Sequence, residues 1–344
     1  MKKHGWIRRN GSCQQNVLRL GVFLATLACV SLSPTAWSIA KDVFPSGKIT
    51  WVLPHRVGGG HDLFARAFAP FMSKYLKQVP GAKGGDVVVR NEAAGSGQKG
   101  FSMIFNSKPD GYTMGLLDTA PVTDMIMEKE KPEFDFMKLT FLGLGNYTTK
   151  VIVGSKKGFK SWKEVVETMK KEPVKIAVSS FGRVNHVQAI IMTEKMGTNF
   201  RMINFAGQAE STNAMIRGNV QLVIAAEDNL VGLIEAQEVR PLLIFSDVSP
   251  YPEAVTIGQL GFPDLADQFR TQRFIVATPG LAEEPKKILM ETIRKAIDDK
   301  EFMVLAKKAK LDMRHAYGAD AQMMFSKVLK FYGDLAPTLK KYLQ

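Results

Sequence analysis

The feature that most limits what this chain can fold into is an alternation of short β-like runs with helical runs that occurs twice. The first series covers residues 49 to about 143. It opens on the apolar run Ile49-Thr50-Trp51-Val52-Leu53, continues with β-like runs at 86–90 and 113–118, and carries helical spacing at 63–76, 98–106 and 122–130. A longer β-like stretch, 139–154, leads to Ser161-Trp162-Lys163-Glu164, which has the spacing of a capping box. The alternation then restarts, with strands expected at 174–179, 200–204, 220–225 and 239–246 and helices at 185–196, 209–217 and 229–236. Strands that alternate with helices make parallel sheets covered on both faces. A segment bearing Pro and Gly, 249–263, precedes a last strand at 272–277, and the remainder is helical at 285–298, 301–310 and 319–342. No β-like run follows Ala277, so these helices must cover an existing sheet, and the first is the one expected. The expected fold class is α/β in two domains, each a mainly parallel sheet flanked by helices. Domain 1 is discontinuous, 41–143 with 264–344, domain 2 is 144–263, and the two connections act as a hinge. Pro70 should kink its helix, because its ring crowds the carbonyl four residues back.

The first forty residues stand apart. Lys2, Lys3, Arg8, Arg9 and Arg19 precede an apolar run at 20–32, and Ser38-Ile39-Ala40 ends it in small residues, which is the pattern of a secretory signal peptide cleaved after Ala40. The apolar run is shorter than the ~20 residues that span a bilayer. Both cysteines, Cys13 and Cys29, lie in this leader, so the exported chain would hold no thiol, disulfide or cysteine metal ligand. Lipidation at Cys29 is not expected, because Thr26 stands where such sites carry Leu or Val. Losing the leader's five basic residues lowers the formal charge from +13 to +8. The remaining lysines, such as Lys286-Lys287, Lys307-Lys308 and Lys340-Lys341, lie among acids with no aromatic-interleaved basic stripe, which argues against nucleic acid as a partner.

The stretch Pro54-His55-Arg56-Val57-Gly58-Gly59-Gly60-His61-Asp62-Leu63-Phe64-Ala65-Arg66 links the first strand to the first helix. Adjacent glycines leave amide groups uncovered, and Asp62 can cap the helix that follows, so this turn is a candidate anion site. Ser179-Ser180-Phe181-Gly182-Arg183-Val184-Asn185-His186 repeats the strand, small-residue turn and helix in the second series. In open α/β sheets ligands sit beyond the carboxyl ends of the strands, so the two turns are expected to face one ligand, with Asp118, Thr119, Ala120, Pro121, Phe205 and Gly207 at other strand ends completing the pocket. Gly95-Ser96-Gly97-Gln98-Lys99-Gly100 fits G-x-G-x-x-G, with Asp118 beyond it. The inserted Asn91-Glu92-Ala93-Ala94 makes the turn too long for a dinucleotide, so a turn into a helix is expected instead. A metal site from His55, His61, Asp62 and His186 is conceivable, but no H-E-x-x-H or similar spacing supports it. G-x-S-x-G is absent as well, and neither cofactor, metal nor catalytic constellation is expected.

Taken together, Phe44-Pro45, Pro54, Gly58-Gly59-Gly60, Asp62 through Arg66, Gly95, Gly97, Pro109-Asp110-Gly111-Tyr112-Thr113, Ser179, Gly182, His186, Gly207, Gly218, Val220 and Tyr251-Pro252-Glu253 resemble, in order and spacing, the solute receptors of tripartite tricarboxylate transporters, the TctC or Bug family. The resemblance runs from Phe44 to the C-terminus. It implies a periplasmic-binding-protein (Venus flytrap) fold, type II-like, whose two domains close on a small organic carboxylate. It also implies periplasmic location, no enzymatic activity, and integral membrane subunits of a tripartite transporter as partners of a monomeric receptor. The ligand-binding residues expected on this basis are His55, Arg56, Val57, Gly58, Gly59, Gly60, His61, Asp62, Asp118, Thr119, Ala120, Ser179, Ser180, Phe181, Gly182, Arg183, His186, Phe205 and Gly207. The pocket departs from the family pattern. The family usually has an aromatic, a small residue and Thr where His55, Arg56 and His61 stand, and a small polar residue at Arg183. It often has Gly at Gln237 and Asp at Ala225. Arg56 and Arg183, one from each domain, are therefore expected either to bind a second carboxylate or another strongly anionic group, arginine being suited to bidentate pairing, or to point to solvent and pair with acids such as Glu92, Glu227 or Asp228. A receptor serving a membrane sensor kinase, or a metal-dependent hydrolase using His55 or His186, would be the alternatives.

Overall fold

The computed structural model describes residues 42–127, 134–179 and 184–343, so the expected leader and its cleavage point lie outside the described residues. In chain order the elements are β1 (Ile49–Leu53), α1 (Gly60–Leu76), β2 (Val87–Asn91), α2 (Gln98–Phe105), β3 (Thr113–Leu117), α3 (Ala120–Met127), β4 (Thr140–Thr148), β5 (Lys150–Ser155), α4 (Trp162–Met169), β6 (Val174–Ser179), α5 (Val184–Met196), β7 (Phe200–Phe205), α6 (Gln208–Ile216), β8 (Leu222–Ala226), α7 (Val231–Glu235), β9 (Val239–Ile244), β10 (Val255–Thr256), α8 (Asp264–Phe269), β11 (Thr271–Ala277), α9 (Glu283–Ile297), α10 (Lys300–Lys308) and α11 (Ala319–Lys340).

The strands form two sheets, in the orders β2-β1-β3-β11-β4 and β10-β9-β5-β8-β6-β7. β1 pairs in parallel with β2 and β3, while β11 runs antiparallel to its neighbours β3 and β4. In the second sheet β5 is the reversed strand, antiparallel to β8 and β9, and the β6–β7, β6–β8 and β9–β10 pairs are parallel. Each sheet is thus mainly parallel with one reversed strand, and both reversed strands lie next to a crossing between the sheets. β4 passes into β5 with only Thr149 between them, and β11 returns the chain from the second sheet to the first. The single β-like stretch expected at 139–154 is this outward crossing.

Central strands are apolar because both faces are covered: Trp51, Val52 and Leu53 of β1 are fully buried, whereas β2, at the edge, exposes Val88 and Arg90. One face of the first sheet is sealed by α1, α9 and α10, where Trp51 meets Phe64 edge-on and Phe68 tilts against Phe302 with centroids 4.8 Å apart. This is the covering expected of the last helices. The final helix, α11, departs from it. It packs on α3 and β4 but also on α5, and Tyr332 donates to the Gln268 carbonyl, so it reaches the second lobe. α1 runs unbroken through Pro70. α8 and the two-residue β10 occupy a region with no expected element. Ser161 caps α4 by accepting from the Glu164 amide, but Glu164 reaches back to the Lys160 amide, one residue short of a full capping box.

Asp299 joins α1 to α10. One carboxylate oxygen caps α10 by accepting from the Glu301 and Phe302 amides, and the other accepts from Lys74 Nζ at 2.8 Å and Tyr75 Oη at 2.9 Å on α1. The bond from Lys74 outweighs burial and, with the Tyr75 and amide donors, holds the Asp299 carboxyl down to about 2. A carboxyl depressed in the folded state contributes stability above its unfolded value that is lost as pH falls through the folded one. Asp299→Ala should therefore cost about 2 kcal/mol in urea denaturation at neutral pH. Asp299→Asn should lack the part of the wild type's acid destabilisation that falls between about pH 4 and pH 2.

Candidate functional site

The loop leaving β1 is tied at both ends before it meets anything else. Asn91 Nδ2 donates to the His55 carbonyl at 3.2 Å, and Asp62 Oδ2 accepts from the Gly58 amide at 2.9 Å. Arg66 joins the two anchors, donating through Nε to Asp62 and through an Nη to Asn91, each at 2.9 Å. Burial pushes the Asp62 carboxyl up, but the Gly58 amide and the Arg66 guanidinium outweigh it and hold it below the usual range. Asp62 is therefore not the N-cap, a position held by Gly59. It lies in the first turn and reaches back, so the Gly58 amide expected to face an anion is already occupied. Arg56, Val57, Gly58 and Gly59 are exposed, while Gly60 and His61 are half-buried.

The glycines of the G-x-G-x-x-G stretch support this loop from behind. A Cβ on Gly97, which lies at φ +95°, would come within 2.8 Å of the Pro54 carbonyl oxygen, and one on Gly100 within 2.9 Å of Pro54 Cα. Their absent side chains let α2 press against the backbone just before His55, which is the turn expected from the lengthened spacing.

At the end of β3, Asp118 and Thr119 are buried and Ala120 opens α3. Asp118 Oδ1 accepts from the Ala120 amide at 3.1 Å. Its Oδ2 lies 2.7 Å from His61 Nε2 and 3.5 Å from His55 Nε2, and the two imidazoles stack with centroids 3.9 Å apart. The His61 approach is close, yet Nε2 meets no full hydrogen-bond geometry with the carboxylate. Burial, then the neighbouring His55, push the His61 imidazole down to about 4 against the pull of Asp118. Burial pushes the Asp118 carboxyl up, but His61 and His55 outweigh it and hold it well below the usual carboxylate range. At neutral pH this gives a neutral His61 beside an ionised Asp118.

The structure adds charged residues that no motif marked. Arg273 of β11 donates to Asp228 Oδ2 at 2.8 Å, joining the return crossing to the turn after β8, and its guanidinium lies over the Phe64 ring. Gly60 is pressed against that pair: a Cβ there would stand 2.9 Å from the Arg273 guanidinium and 2.7 Å from Asn229 Oδ1. The start of α1 thus touches the second lobe through a residue that must be small. On the outward crossing, Lys150 donates to Asn185 Oδ1 at 3.0 Å, and Asn185 in turn donates to the Ile224 carbonyl and to Gln208. Burial lowers the Lys150 ammonium to about 8, against the attraction of Asp228 and Asp118. Buried polar atoms without a hydrogen-bond partner gather here, on His55, His61, Thr148, Asp228, Arg270, Gln272 and Arg273. A charged residue inside an otherwise apolar strand, as in Lys150-Val151-Ile152-Val153 and Arg273-Phe274-Ile275-Val276, is the signal that could have found Lys150 and Arg273.

In the second lobe Ser179 ends β6, His186 is buried on α5, Phe205 ends β7 and Gly207 caps α6. Ser180, Phe181, Gly182 and Arg183 lie outside the described residues, so the expected pairing of Arg183 with Arg56 does too. The structure therefore brings His55, His61 and Asp118 together, sets Gly60 against Arg273, Asp228 and Asn229, and turns Asp62 away toward Gly58 and Arg66.

Residues 65–330 match the family model of the tripartite tricarboxylate transporter family receptor. A "UPF0065 protein in gbd 5'region" from Cupriavidus necator is 24% identical over 310 residues, which cover 88% of this chain and 89% of that protein. Two solved structures share the fold: one of R. palustris Rpa4515 with adipate, at TM-score 0.75 and 19% identity over 86% of this chain and 98% of that one, and one of MatC from Rhodopseudomonas palustris with bound malate, at TM-score 0.68 and 16% identity over 88% of this chain and all of that one.

Proposed function

This chain belongs to the tripartite tricarboxylate transporter receptor family, the TctC/Bug solute-binding proteins, and from that premise we propose that it captures a small organic carboxylate between its two lobes in the periplasm and presents it to the membrane subunits of such a transporter. The observation that carries this reading is the set of buried or half-buried polar groups where the two lobes meet, several with an unpartnered atom: Lys150, Arg273 and Asp228 on or beside the crossings, with His55, His61 and Asp118 at the strand ends. A buried cation short of counter-charge is costly alone and less so beside a bound anion. The lobes are taken to be the domains 41–143 with 264–344 and 144–263, closing about Thr149 and the start of β11. A ligand that touches both lobes favours the closed state by its differential affinity. The acids in the malate and adipate complexes make dicarboxylates the first candidates here, and Arg56, an exposed cation on the loop after β1, is the residue assigned to the second carboxylate.

A thermal-shift panel of mono-, di- and tricarboxylates tests this. A ligand at ~100 times its dissociation constant stabilises by about 2.7 kcal/mol, a shift of several degrees for lobes of this size. At least one acid should produce it. No shift with any acid, in protein freed of co-purified ligand by unfolding and refolding, would overturn the reading.

A further inference from the structure

We propose that His55, His61 and Asp118 form a binding site for one zinc-like divalent transition cation at the strand ends of the first lobe. Their donor atoms all lie within 4.8 Å of one another. Zinc held at about 2.0–2.2 Å from each ligand in a tetrahedral shell puts neighbouring donors about 3.3 Å apart. Asp118 Oδ2 and His55 Nε2 stand 3.5 Å apart already, and Oδ2 and His61 Nε2, at 2.7 Å, need only open by about half an ångström.

Two features separate this from an ordinary histidine–carboxylate contact. His61 Nε2 is buried and meets no full hydrogen-bond geometry although the carboxylate is 2.7 Å away, so a buried nitrogen next to an anion is left to be satisfied. Asp118 is held from behind through Oδ1 by the Ala120 amide, as a metal ligand is when an outer partner fixes its orientation, and the His55 backbone is anchored through its carbonyl by Asn91. The two imidazoles stack parallel within 10°, with both Nε2 atoms within 3.5 Å of one carboxylate oxygen, so a shared ion needs one ring to turn out of the stack to bring the two in-plane lone pairs together. Two imidazoles and one carboxylate suit zinc, nickel or copper and fit poorly the all-oxygen shells of magnesium and calcium. Three protein ligands leave a fourth position open, and the histidine side chains are 17% and 20% exposed. The site stands whether or not the ligand of the cleft is a carboxylate.

The test uses untagged full-length protein as exported, stripped with a chelator, dialysed against zinc chloride or magnesium chloride, and assayed for bound metal by elemental mass spectrometry and for affinity by calorimetry. The proposal expects one zinc per chain and no retained magnesium. His55→Ala and His61→Ala should each lose at least the 10- to 100-fold in zinc affinity that even outer-shell substitutions cost, with metal-free melting temperatures showing that both variants fold. Should His61→Ala fail to fold, Asp118→Asn, which keeps the side chain's shape, carries the same comparison. No zinc retained, or equal zinc affinity in wild type and variants, which would place the metal elsewhere, for example at His315 and Asp298, would overturn it.

Discussion

Arg273→Ala is expected to destabilise the protein by about 3–5 kcal/mol, more than any other single change in the cleft. The side chain is only 1% exposed and pairs with Asp228 across the lobes, with Asn146 beside it and Phe64 under the guanidinium. Removing it strands the Asp228 carboxylate, whose Oδ1 already lacks a partner, in a buried position and opens a cavity against Gly60. The cost is thus mainly that of an uncompensated buried charge, not of a lost attraction. The double replacement Arg273→Met with Asp228→Leu should recover most of the loss, because it removes both charges and keeps apolar volume. Urea denaturation of the three proteins measures both terms. A loss below about 1 kcal/mol for Arg273→Ala would mean that the pair does not hold the lobes in solution.

Lys150→Met should do the reverse, leaving the fold at least as stable while weakening carboxylate binding by about 100-fold, roughly the 2.7 kcal/mol that a lost charge-assisted hydrogen bond reaches. Burial lowers this ammonium from 10.5 to about 8, so the folded protein releases its proton before the unfolded chain does. Between those two values the unfolded chain binds more protons, and the stability contributed by this group rises with pH. In the ligand-free protein at neutral pH the charged Lys150 is therefore a liability, which methionine removes. A bound carboxylate needs that charge, so wild-type affinity should fall as pH rises through about 8, and the Lys150→Met titration should stay flat there. Calorimetry from pH 6 to pH 10 follows both, and a pH-independent wild type would place the ligand away from Lys150.

Much of the fold was legible because its strands are buried on both faces. Runs such as Ile49-Thr50-Trp51-Val52-Leu53 are apolar throughout, and the helices between them carry the 3.6-residue period. β10 and α8 were not legible, because two and six residues are too short to show a period. The reach of α11 onto α5 could not be read from its own sequence, since an apolar stripe does not say which neighbour it meets. Within the site, His55, His61 and Asp118 were each marked, but as members of different groups. The metal set conceivable if the two domains face each other included Asp62 and His186, whereas in the structure Asp62 serves Gly58 and Arg66, and His186 lies on α5 in the other lobe. Asp118 joins the histidines because β1 and β3 pair in parallel and end side by side, a fact of sheet order and not of sequence distance. Gln237 shows a departure with a visible reason: it adopts φ +56°, the left-handed region in which glycine, common there in the family, is free of strain.

If the two lobes close upon the charge of the ligand, calorimetric titration of an acid against its uncharged counterpart reads that charge out. Refolded, ligand-free protein is titrated with the acid that gives the largest thermal shift and with that acid's neutral methyl ester. One site per chain is expected for the acid and binding at least about 100-fold weaker for the ester, the loss of one or more charge-assisted hydrogen bonds. Equal binding of acid and ester, or of neither, would contradict it.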